Sequence, residues 1–427
     1  MSTRLRSIAE QAAPVDSNAR MVVSVRANPP KGDDDRFRSE GRRLTSDPRH
    51  FALFLSSLAG GGAQRRVLTL ARAFAERCHR VDLVVANADG PLRAELSPAV
   101  RLVPLASRWA RLPGIAGRRG PQVLASFPAL ARYVAREKPD VVLATSNSAN
   151  LACLFARSWA RVPIPVVLSV NVHLSATTGA RQRAWGPLLR TLVRRTYAKA
   201  DAIIANSTGV ADDLLRSVKV PPERITVIYN FLDEVAILKR AREPVEHPWI
   251  APGSPPLVLA VGKLKVQKDF PTLLRAFARV RAARPVRLVI LGEGEERNRL
   301  NRLAHELGVA ADMELPGFVA NPFAWMARAA VVAHSAVREG FGNVLCEALV
   351  CGCPVVSTDS SGGAREILDN GAIGPLVAVG DDQALADGIL ALLSAPPDPA
   401  VLRASATRFS VDAAVDRYLG VLLDTCE

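Results

Sequence analysis

The pattern that most constrains this fold is an alternation of short apolar runs with stretches of helical character. Such alternation predicts parallel β-sheets flanked by helices, because parallel strands need a crossover that a helix usually supplies. The first series of candidate strands comprises Phe51–Ser56, Val81–Ala86, Arg101–Leu105, Val141–Thr145, Pro165–Val170, Ala202–Ala205 and Ile225–Tyr229. The second comprises Leu257–Val261, Arg287–Leu291, Met313–Leu315, Val331–His334, Pro354–Ser357 and Leu376–Val379.

A proline-rich stretch between Pro244 and Pro256 separates the two series. Two such series joined by a breaker-rich linker predict an α/β protein with two Rossmann-like domains, whose parallel sheets face each other across a cleft. The length of 427 residues also suits two domains better than one core. We expect a first domain at 49–240, a second at 241–405, and a C-terminal helix within 406–427 that packs back on the first.

Composition narrows the class of protein. Hydrophobic residues make up 49% of the chain and charged residues only 22%, which is typical of a folded globular protein. Residues 1–48 mix polar, charged and proline residues without periodicity, so we expect a disordered basic and polar tail. No apolar segment follows the first residues, so no secretory signal is expected. The longest uncharged apolar stretches, such as 164–174, are too short to span a membrane.

The six cysteines are scattered, and the pair Cys351 and Cys353 has no partner pair at metal-binding spacing. We therefore expect reduced, buried thiols in a cytosolic protein rather than zinc sites or disulfides.

The net charge of +14 is concentrated in the first half of the chain. Residues 101–240 contain 21 lysine and arginine residues against 8 aspartate and glutamate residues. The clusters at 101–119 and 185–199 are basic, and the second has Leu188, Leu189, Leu192 and Val193 on one helical side. Such a surface can contact anionic lipid headgroups, although a solvated arginine-rich helix explains the charge equally well. Nucleic acid is not favoured, because no binding motif accompanies the charge.

Two carboxylates in one short segment mark a candidate ligand site. Glu339 follows the apolar run Val331–His334, and Glu347 lies inside a helix that Gly342 and Asn343 can start, with Asn343 as the expected N-cap. A strand, a glycine-containing turn and a helix N-terminus place free backbone N–H groups beside fixed carboxylates. This combination suits a ligand with both phosphate and hydroxyl groups.

Three further turns fall at the predicted carboxyl ends of strands, where ligands gather in such folds. Gly60, Gly61 and Gly62 follow the first strand, and Gly292-Glu293-Gly294 follows Arg287–Leu291. Glycines at these points let the backbone approach a ligand closely. Gly262 follows Leu257–Val261 and precedes Lys263, Lys265 and Lys268, which can neutralise a diphosphate. Each signal alone is weak, since tight turns and surface lysines are common.

In combination these residues resemble the retaining GT-B glycosyltransferases of family 4. The resemblance covers most of the chain from about residue 51 to 420. It is densest between Val261 and Leu368, where the following segments stand in family order: Gly262-Lys263, Gln267-Lys268, Gly292-Glu293-Gly294, Pro316-Gly317-Phe318, Glu339 to Glu347, Gly352 to Val356 and Gly362 to Ile367.

The resemblance implies a role for each matching residue. Lys263 and Lys268 would contact the diphosphate of the donor, and Glu339 would face the transferred sugar. Glu347 would hold the ribose hydroxyls. The donor-binding backbone would comprise Gly61, Gly62, Gly262, Gly292, Glu293, Gly340, Phe341, Gly342, Asn343 and Val344. No metal and no cofactor is expected, since lysines and a helix N-terminus can stabilise the leaving nucleoside diphosphate.

This sequence departs from the family pattern at two positions, and the alignment leaves two candidates for a third. Lys263 stands where arginine is common, which keeps the charge but loses a bidentate fork. Gln64 replaces a frequent glutamate. The family histidine after the fifth strand aligns with either Asn171 or His173; we favour His173 as the catalytic residue, although a buried structural histidine is an alternative.

The resemblance implies transfer of a hexose-type sugar from a UDP- or GDP-sugar to a glycan or lipid-linked acceptor, with retained configuration. Family members with the Gly362-Gly363-Ala364-Arg365-Glu366 pattern often build surface polysaccharides or lipopolysaccharide. With the basic first domain, this predicts a cytoplasmic enzyme that binds peripherally to the inner face of the cell membrane. Two other classes are a non-catalytic sugar-nucleotide-binding protein and an NAD-dependent oxidoreductase, but the latter lacks the dinucleotide-binding glycine turn.

Overall fold

The computed structural model of this protein describes residues 47–105, 107, 119–176, 191–218 and 220–427. Nearly all of the predicted tail at 1–48 therefore lies outside the described residues. The same holds for most of the basic cluster at 101–119 and for residues 185–190 of the second cluster.

Seven strands form a first sheet in which every pair of neighbours is parallel. They are β1 (His50–Ser57), β2 (Arg80–Asn87), β3 (Arg101–Pro104), β4 (Val141–Thr145), β5 (Val166–Val170), β6 (Ala202–Ala205) and β7 (Ile225–Val227). Their order is β3-β2-β1-β4-β5-β6-β7. Since β1 lies between β2 and β4, the order reverses direction at β1 and β4.

Six strands form a second sheet, also parallel throughout. They are β8 (Leu257–Val261), β9 (Arg287–Leu291), β10 (Met313–Gly317), β11 (Val331–His334), β12 (Val355–Thr358) and β13 (Leu376–Val377). Their order is β10-β9-β8-β11-β12-β13, so this sheet reverses at β8 and β11. The two parallel sheets confirm the predicted α/β class.

Helices cover both sheets. The first half contains α1 (Gly62–Glu76), α2 (Arg119–Leu124), α3 (Phe127–Glu137), α4 (Asn147–Ala160) and α5 (Thr208–Ser217), and residues 191–197 are also helical. The second half contains α6 (Glu234–Ala241), α7 (Phe270–Ala283), α8 (Arg297–Glu306), α9 (Pro322–Met326), α10 (Asn343–Val350), α11 (Ala364–Ile367), α12 (Asp382–Ser394), α13 (Pro399–Ala406) and α14 (Val411–Cys426).

The central strands are apolar and buried on both faces because helices cover both faces of each sheet. Along β1, Phe54 belongs to one apolar cluster while Leu53 and Leu55 belong to another on the opposite face. Along β8, Leu259 and Val258 likewise belong to two different clusters. Continuous burial explains why these runs could be recognised from hydrophobicity without a strict alternation.

The chain crosses between the two sheets twice, and the crossings run side by side. Leu232 donates its backbone N–H to the Phe409 carbonyl at 2.9 Å. Tyr229, which the sequence placed at the end of a strand, instead follows β7, and its ring stacks on Phe341 at a centroid distance of 5.6 Å. Phe409 packs edge-on against both rings.

The last helix, α14, contributes to the core beneath the first sheet. Its apolar residues Ala414, Val415, Tyr418, Leu419 and Leu422 are buried in the same cluster as Leu53 and Leu55 of β1. The first domain is therefore built from the first half of the chain and its final helix.

All six cysteines lie within the described residues, and none forms a disulfide. Cys153, Cys346, Cys351 and Cys353 are buried, whereas Cys78 is exposed and Cys426 is half-buried.

Candidate active site

The turns predicted to bind a ligand follow the central strands of both sheets. In open parallel sheets ligands bind outside the carboxyl ends of the strands where the order reverses. In the first sheet the glycine turn at 60–62 follows β1. In the second, Gly262 follows β8, and the segment 335–342 follows β11 and leads into α10.

Glu339 lies at the centre of a small charged cluster. The ammonium group of Lys268 contacts its carboxylate, and His334 Nε2 lies 3.5 Å from the same oxygen. Burial raises the pKa of Glu339, but the contact with His334 and the charge of Lys268 outweigh it, and the pKa falls to about 2. The carboxylate is therefore ionised at any physiological pH.

His334 is a site residue that the sequence reasoning missed. Its Nδ1 lies 3.1 Å from the Ser357 hydroxyl, and the ring is buried at the carboxyl end of β11. Burial lowers the pKa of His334, so the imidazole is neutral near pH 7. A neutral ring beside Glu339 leaves Lys268 as the cation of the cluster.

The predicted catalytic residue His173 reaches Glu339 from the opposite domain. Its Nε2 lies 3.1 Å from the Glu339 carbonyl oxygen, and the side chain is buried. Asn171, the other candidate for the family histidine position, also lies against the Glu339 loop, since a Cβ on Gly340 would lie 2.1 Å from the Asn171 carbonyl oxygen. The structure thus brings both candidates to the cleft, with the His173 side chain turned to the Glu339 loop.

The predicted donor loop, Gly340 to Val344, uses its residues in different ways. The Phe341 side chain is buried among aromatic rings, so only its backbone faces a ligand. Gly342 has φ of 102° and occupies the N-cap position of α10, and the expectation that Asn343 is the N-cap was wrong. The Asn343 side chain instead accepts a 2.8 Å hydrogen bond from Asn230 of the first domain. Val344 is half-buried against the second-domain core.

Glu347 lies one turn beyond Asn343 on α10, where its carboxylate accepts no hydrogen bond from another described residue. Burial raises the pKa of Glu347 to about 7, against the opposing charges of Arg66 and Lys268. Arg66 belongs to α1 of the first domain. A Cβ on Gly62 would lie 3.8 Å both from the Arg66 guanidinium and from the Asn343 amide nitrogen. The predicted glycine turn therefore meets the start of α10 across the cleft.

The remaining predicted glycines pack two turns of the second domain together. A Cβ on Gly292 would lie 1.9 Å from the Gly262 carbonyl oxygen, and one on Gly262 would lie 3.0 Å from Lys268 Cε. At the first-domain turn, Gly61 has φ of 146° and precedes α1. Close packing of the turns and a positive φ are both tolerated at low energetic cost only by glycine.

Two predicted donor-binding side chains lie outside the Glu339 cluster. Lys263 is exposed and makes no salt bridge within the part of the chain that the structure describes. The Glu293 carboxylate is exposed and bonded by Arg297, with Arg297 Nε 3.0 Å from Glu293 Oε2. The contact with Arg297 lowers the pKa of Glu293.

Four cleft residues were not selected from the sequence: Ser207, whose hydroxyl donates to the Gly340 carbonyl oxygen at 2.7 Å, and Asn230, His334 and Arg66. The first three could have been found, since each is a polar residue at or just after the carboxyl end of an apolar strand. Arg66 carried no signal, because a second arginine in the first turn of a helix is ordinarily solvated.

Two kinds of feature are absent from the described residues. No helix there is long and apolar enough to cross a bilayer. No group of three or more His, Cys, Asp or Glu side chains there could hold a metal ion.

Comparison with known proteins agrees with this geometry. Residues 60–235 match the family model described as Glycosyltransferase Family 4, and residues 242–409 match the one described as Glycosyl transferases group 1. The N-acetylgalactosamine-N,N'-diacetylbacillosaminyl-diphospho-undecaprenol 4-alpha-N-acetylgalactosaminyltransferase of Campylobacter jejuni is 30% identical over 342 residues, which are 80% of this chain and 89% of that protein. The lipopolysaccharide core biosynthesis glycosyltransferase LpsE of Rhizobium meliloti is 30% identical over 234 residues, 53% of this chain and 65% of that protein.

Solved structures share the fold. Anabaena Alr3699/HepE, in complex with UDP and glucose, has a TM-score of 0.69 at 22% identity and covers 88% of this chain and 100% of its own. The lipopolysaccharide outer core galactosyltransferase WaaB has a TM-score of 0.67 at 17% identity, with 88% and 99% covered. With matching models on both halves and a relative aligned over most of both chains, this protein belongs to the family 4 glycosyltransferases of GT-B architecture.

Proposed function

We propose that this protein transfers a hexose-type sugar from a UDP- or GDP-sugar to a hydroxyl of a membrane-linked glycan or glycolipid, with retention of configuration. The observation that carries the proposal is the Lys268–Glu339 pair, which lies at the carboxyl end of the second sheet beneath His173 of the first domain. A cation for the diphosphate and an anion for the sugar thus stand together where both domains meet.

In the proposed reaction, the bond between the anomeric carbon and the diphosphate oxygen breaks, and the acceptor oxygen bonds to that carbon on the same face. The acceptor proton passes to the departing diphosphate. Lys268 stabilises the charge that develops on the leaving group, and the ionised Glu339 faces the sugar as it becomes oxocarbenium-like. His173 contacts the sugar from the first domain, and the closed cleft excludes water that would hydrolyse the donor.

The nucleoside is held by the second domain in this proposal. Glu347 accepts hydrogen bonds from the ribose hydroxyls, which its unpaired carboxylate on α10 can do. Lys263 supplies a second cation at the rim, and the turns of Gly61, Gly62 and Gly292 approach the phosphates by their backbones. These groups suffice without a metal or cofactor, so turnover should persist in excess EDTA.

The acceptor is proposed from the relatives and the charge of the chain. The Campylobacter relative is named for a diphospho-undecaprenol-linked acceptor, and the Rhizobium relative for lipopolysaccharide core biosynthesis. A basic first domain suits an acceptor anchored in an anionic bilayer. We therefore propose a cytoplasmic enzyme that works peripherally at the inner face of the cell membrane.

A thermal-shift screen against UDP-, GDP- and ADP-sugars tests donor binding, because a ligand specific for the folded state raises the melting temperature. The donor that binds is then incubated with lipid-linked acceptors, and proton NMR of the product reports the anomeric configuration. Glu339→Gln should abolish transfer, whereas Glu295→Gln, at an exposed position, should not. An inverted product, or transfer that survives Glu339→Gln, contradicts the proposal.

A further inference from the structure

The first turn of α5 is fitted against the second domain beside the Glu339 loop. The Ser207 hydroxyl donates to the Gly340 carbonyl oxygen at 2.7 Å. The Thr208 N–H donates to Glu366 Oε1 at 2.8 Å, and the Thr208 hydroxyl bonds the same oxygen. A Cβ on Gly209 would lie 2.5 Å from the Ser361 carbonyl oxygen. We call these contacts between 207–209 and the second domain the interdomain clasp.

The second-domain side of the interdomain clasp directly supports Glu339. A Cβ on Gly362 would lie 2.4 Å from the Glu339 carbonyl oxygen, and one on Gly363 would lie 2.4 Å from the Phe341 ring. Backbone atoms packed this closely cannot slide independently. A displacement of the segment 361–366 would therefore also displace Glu339.

The Glu366 carboxylate is well suited to hold this contact. Ser207 caps α5 by accepting a hydrogen bond from the Val210 N–H. The other N–H groups in the first turn have no partner within the helix. Glu366 accepts one of them and brings its negative charge to the positive end of the helix. Because the two partners belong to different domains, this bond exists only when the cleft is closed.

We propose that Glu366 is a positioning residue: through Thr208 it holds the two domains closed, with the Glu339 loop in place for sugar transfer. The inference rests on the transferase activity proposed above. The side chains proposed to hold the nucleoside diphosphate, Lys268 and Glu347, both belong to the second domain, so most of the nucleotide affinity does not depend on the interdomain clasp. Transfer requires both domains, so the interdomain clasp acts on kcat.

The test compares Glu366→Ala, Thr208→Val and the double variant with the wild type. Each single variant should lower kcat about 10-fold, as expected when reacting groups are slightly misplaced. The affinity for UDP or GDP, measured by calorimetry, should change less than about two-fold, because the nucleotide site is intact. The double variant should be no slower than the slower single variant, since both changes break one contact.

Two further variants separate positioning from general damage. Glu366→Gln keeps an acceptor oxygen for Thr208 and should recover most of the lost kcat. Arg365→Ala is the matched control, because this neighbouring side chain is exposed and pairs with Asp359 of its own domain. Wild-type kcat is expected for Arg365→Ala.

Multiplicative losses in the double variant, or an equal loss in Arg365→Ala, would overturn the inference. If the wild type transfers no sugar, the proposed function fails instead. The interdomain clasp is then judged from urea unfolding of the same proteins, where non-additive losses for Thr208→Val and Glu366→Ala support it and additive losses refute it.

Discussion

At the residue scale, the cleft contains residues whose burial or backbone conformation lowers the stability of the fold. Glu347 is a poorly solvated carboxylate with a raised pKa, and Ser146 has φ of 113°, a conformation that side chains rarely adopt. Ser146 follows β4, next to the reversal point of the first sheet, and its buried hydroxyl has no partner among the described residues. Such violations gather at functional sites, where geometry matters more than stability.

Replacing Glu347 should stabilise the protein in a pH-dependent manner. The pKa of this carboxyl rises from 4.5 to about 7 on folding, so the protonated form favours the folded state. This contribution to the free energy of unfolding is lost as the pH rises through 7. Glu347→Gln, which stays neutral, should therefore melt a few degrees above the wild type at pH 8. The two melting temperatures should converge at pH 5. Differential scanning calorimetry measures both.

The same residue should make donor affinity depend on pH. If the ionised carboxylate holds the ribose, wild-type affinity should increase from pH 6 to pH 8, and Glu347→Gln should bind weakly at both. For the stability prediction, an equal rise in the melting temperature of Glu347→Gln at pH 5 and pH 8 would show that ionisation of Glu347 does not cause the stabilisation.

The strain at Ser146 should be relieved by glycine. Ser146→Gly removes the Cβ that disfavours a positive φ, so the free energy of unfolding should rise by about 1 kcal/mol. Ser148→Gly, inside α4, should instead lower it by about 0.5 kcal/mol. Urea denaturation at constant pH compares them, and a loss of stability in both variants would rule out strain at Ser146.

At the scale of elements, all thirteen strands were predicted, and the central ones were clearest because buried parallel strands are nearly continuous apolar runs. Their ends were less predictable: the last strand of the first sheet stops at Val227, because Tyr229 is drawn into the aromatic cluster with Phe341. The N-cap of α10 was missed because Asn343 bonds a residue of the other domain. Local propensity does not contain such contacts.

The packing of the β8 and β9 turns yields a prediction for Gly292. A Cβ at this position would lie 1.9 Å from the Gly262 carbonyl oxygen, so the two turns must separate. Gly292→Ala should lower the free energy of unfolding by about 2 to 3 kcal/mol, as in other overpacked sites. Gly420→Ala meets no neighbour within 4 Å and should stabilise α14 by about 1 kcal/mol. Equal effects in urea unfolding would contradict the packing argument.

At the scale of the molecule, the site was only partly predictable. Glu339, Lys268 and His173 were selected separately, and the structure brings them together. Arg66 and the contact between Thr208 and Glu366 depend on how one domain faces the other. Hydrophobic periodicity describes each domain by itself, so no pattern in one domain reveals what it meets in the other.

The charge of the first domain should make membrane binding depend on lipid composition. Arg194 and Arg195 are exposed, and Leu192 beside them is 40% exposed, whereas Val193 packs against the core. Arg101 is already neutralised by Asp82 and Glu137. In liposome flotation, binding should increase with anionic lipid and decrease with salt.

The double variant Arg194→Gln/Arg195→Gln should float less with anionic vesicles and equally with neutral ones. The matched control is Arg216→Gln/Arg224→Gln, which removes the same charge from other parts of the first domain. Binding that does not respond to anionic lipid would remove the electrostatic basis for membrane association.

The return of α14 to the first domain affects how the polypeptide matures. Val415, Leu419 and Leu422 are synthesised after the strands of both sheets, so the apolar surface under β1 stays uncovered until α14 has been made. The second domain, whose strands and helices are already complete, can fold earlier. A gene fragment that stops near residue 240 should therefore yield aggregation-prone protein, and co-expressing the missing helix as a peptide should improve its recovery.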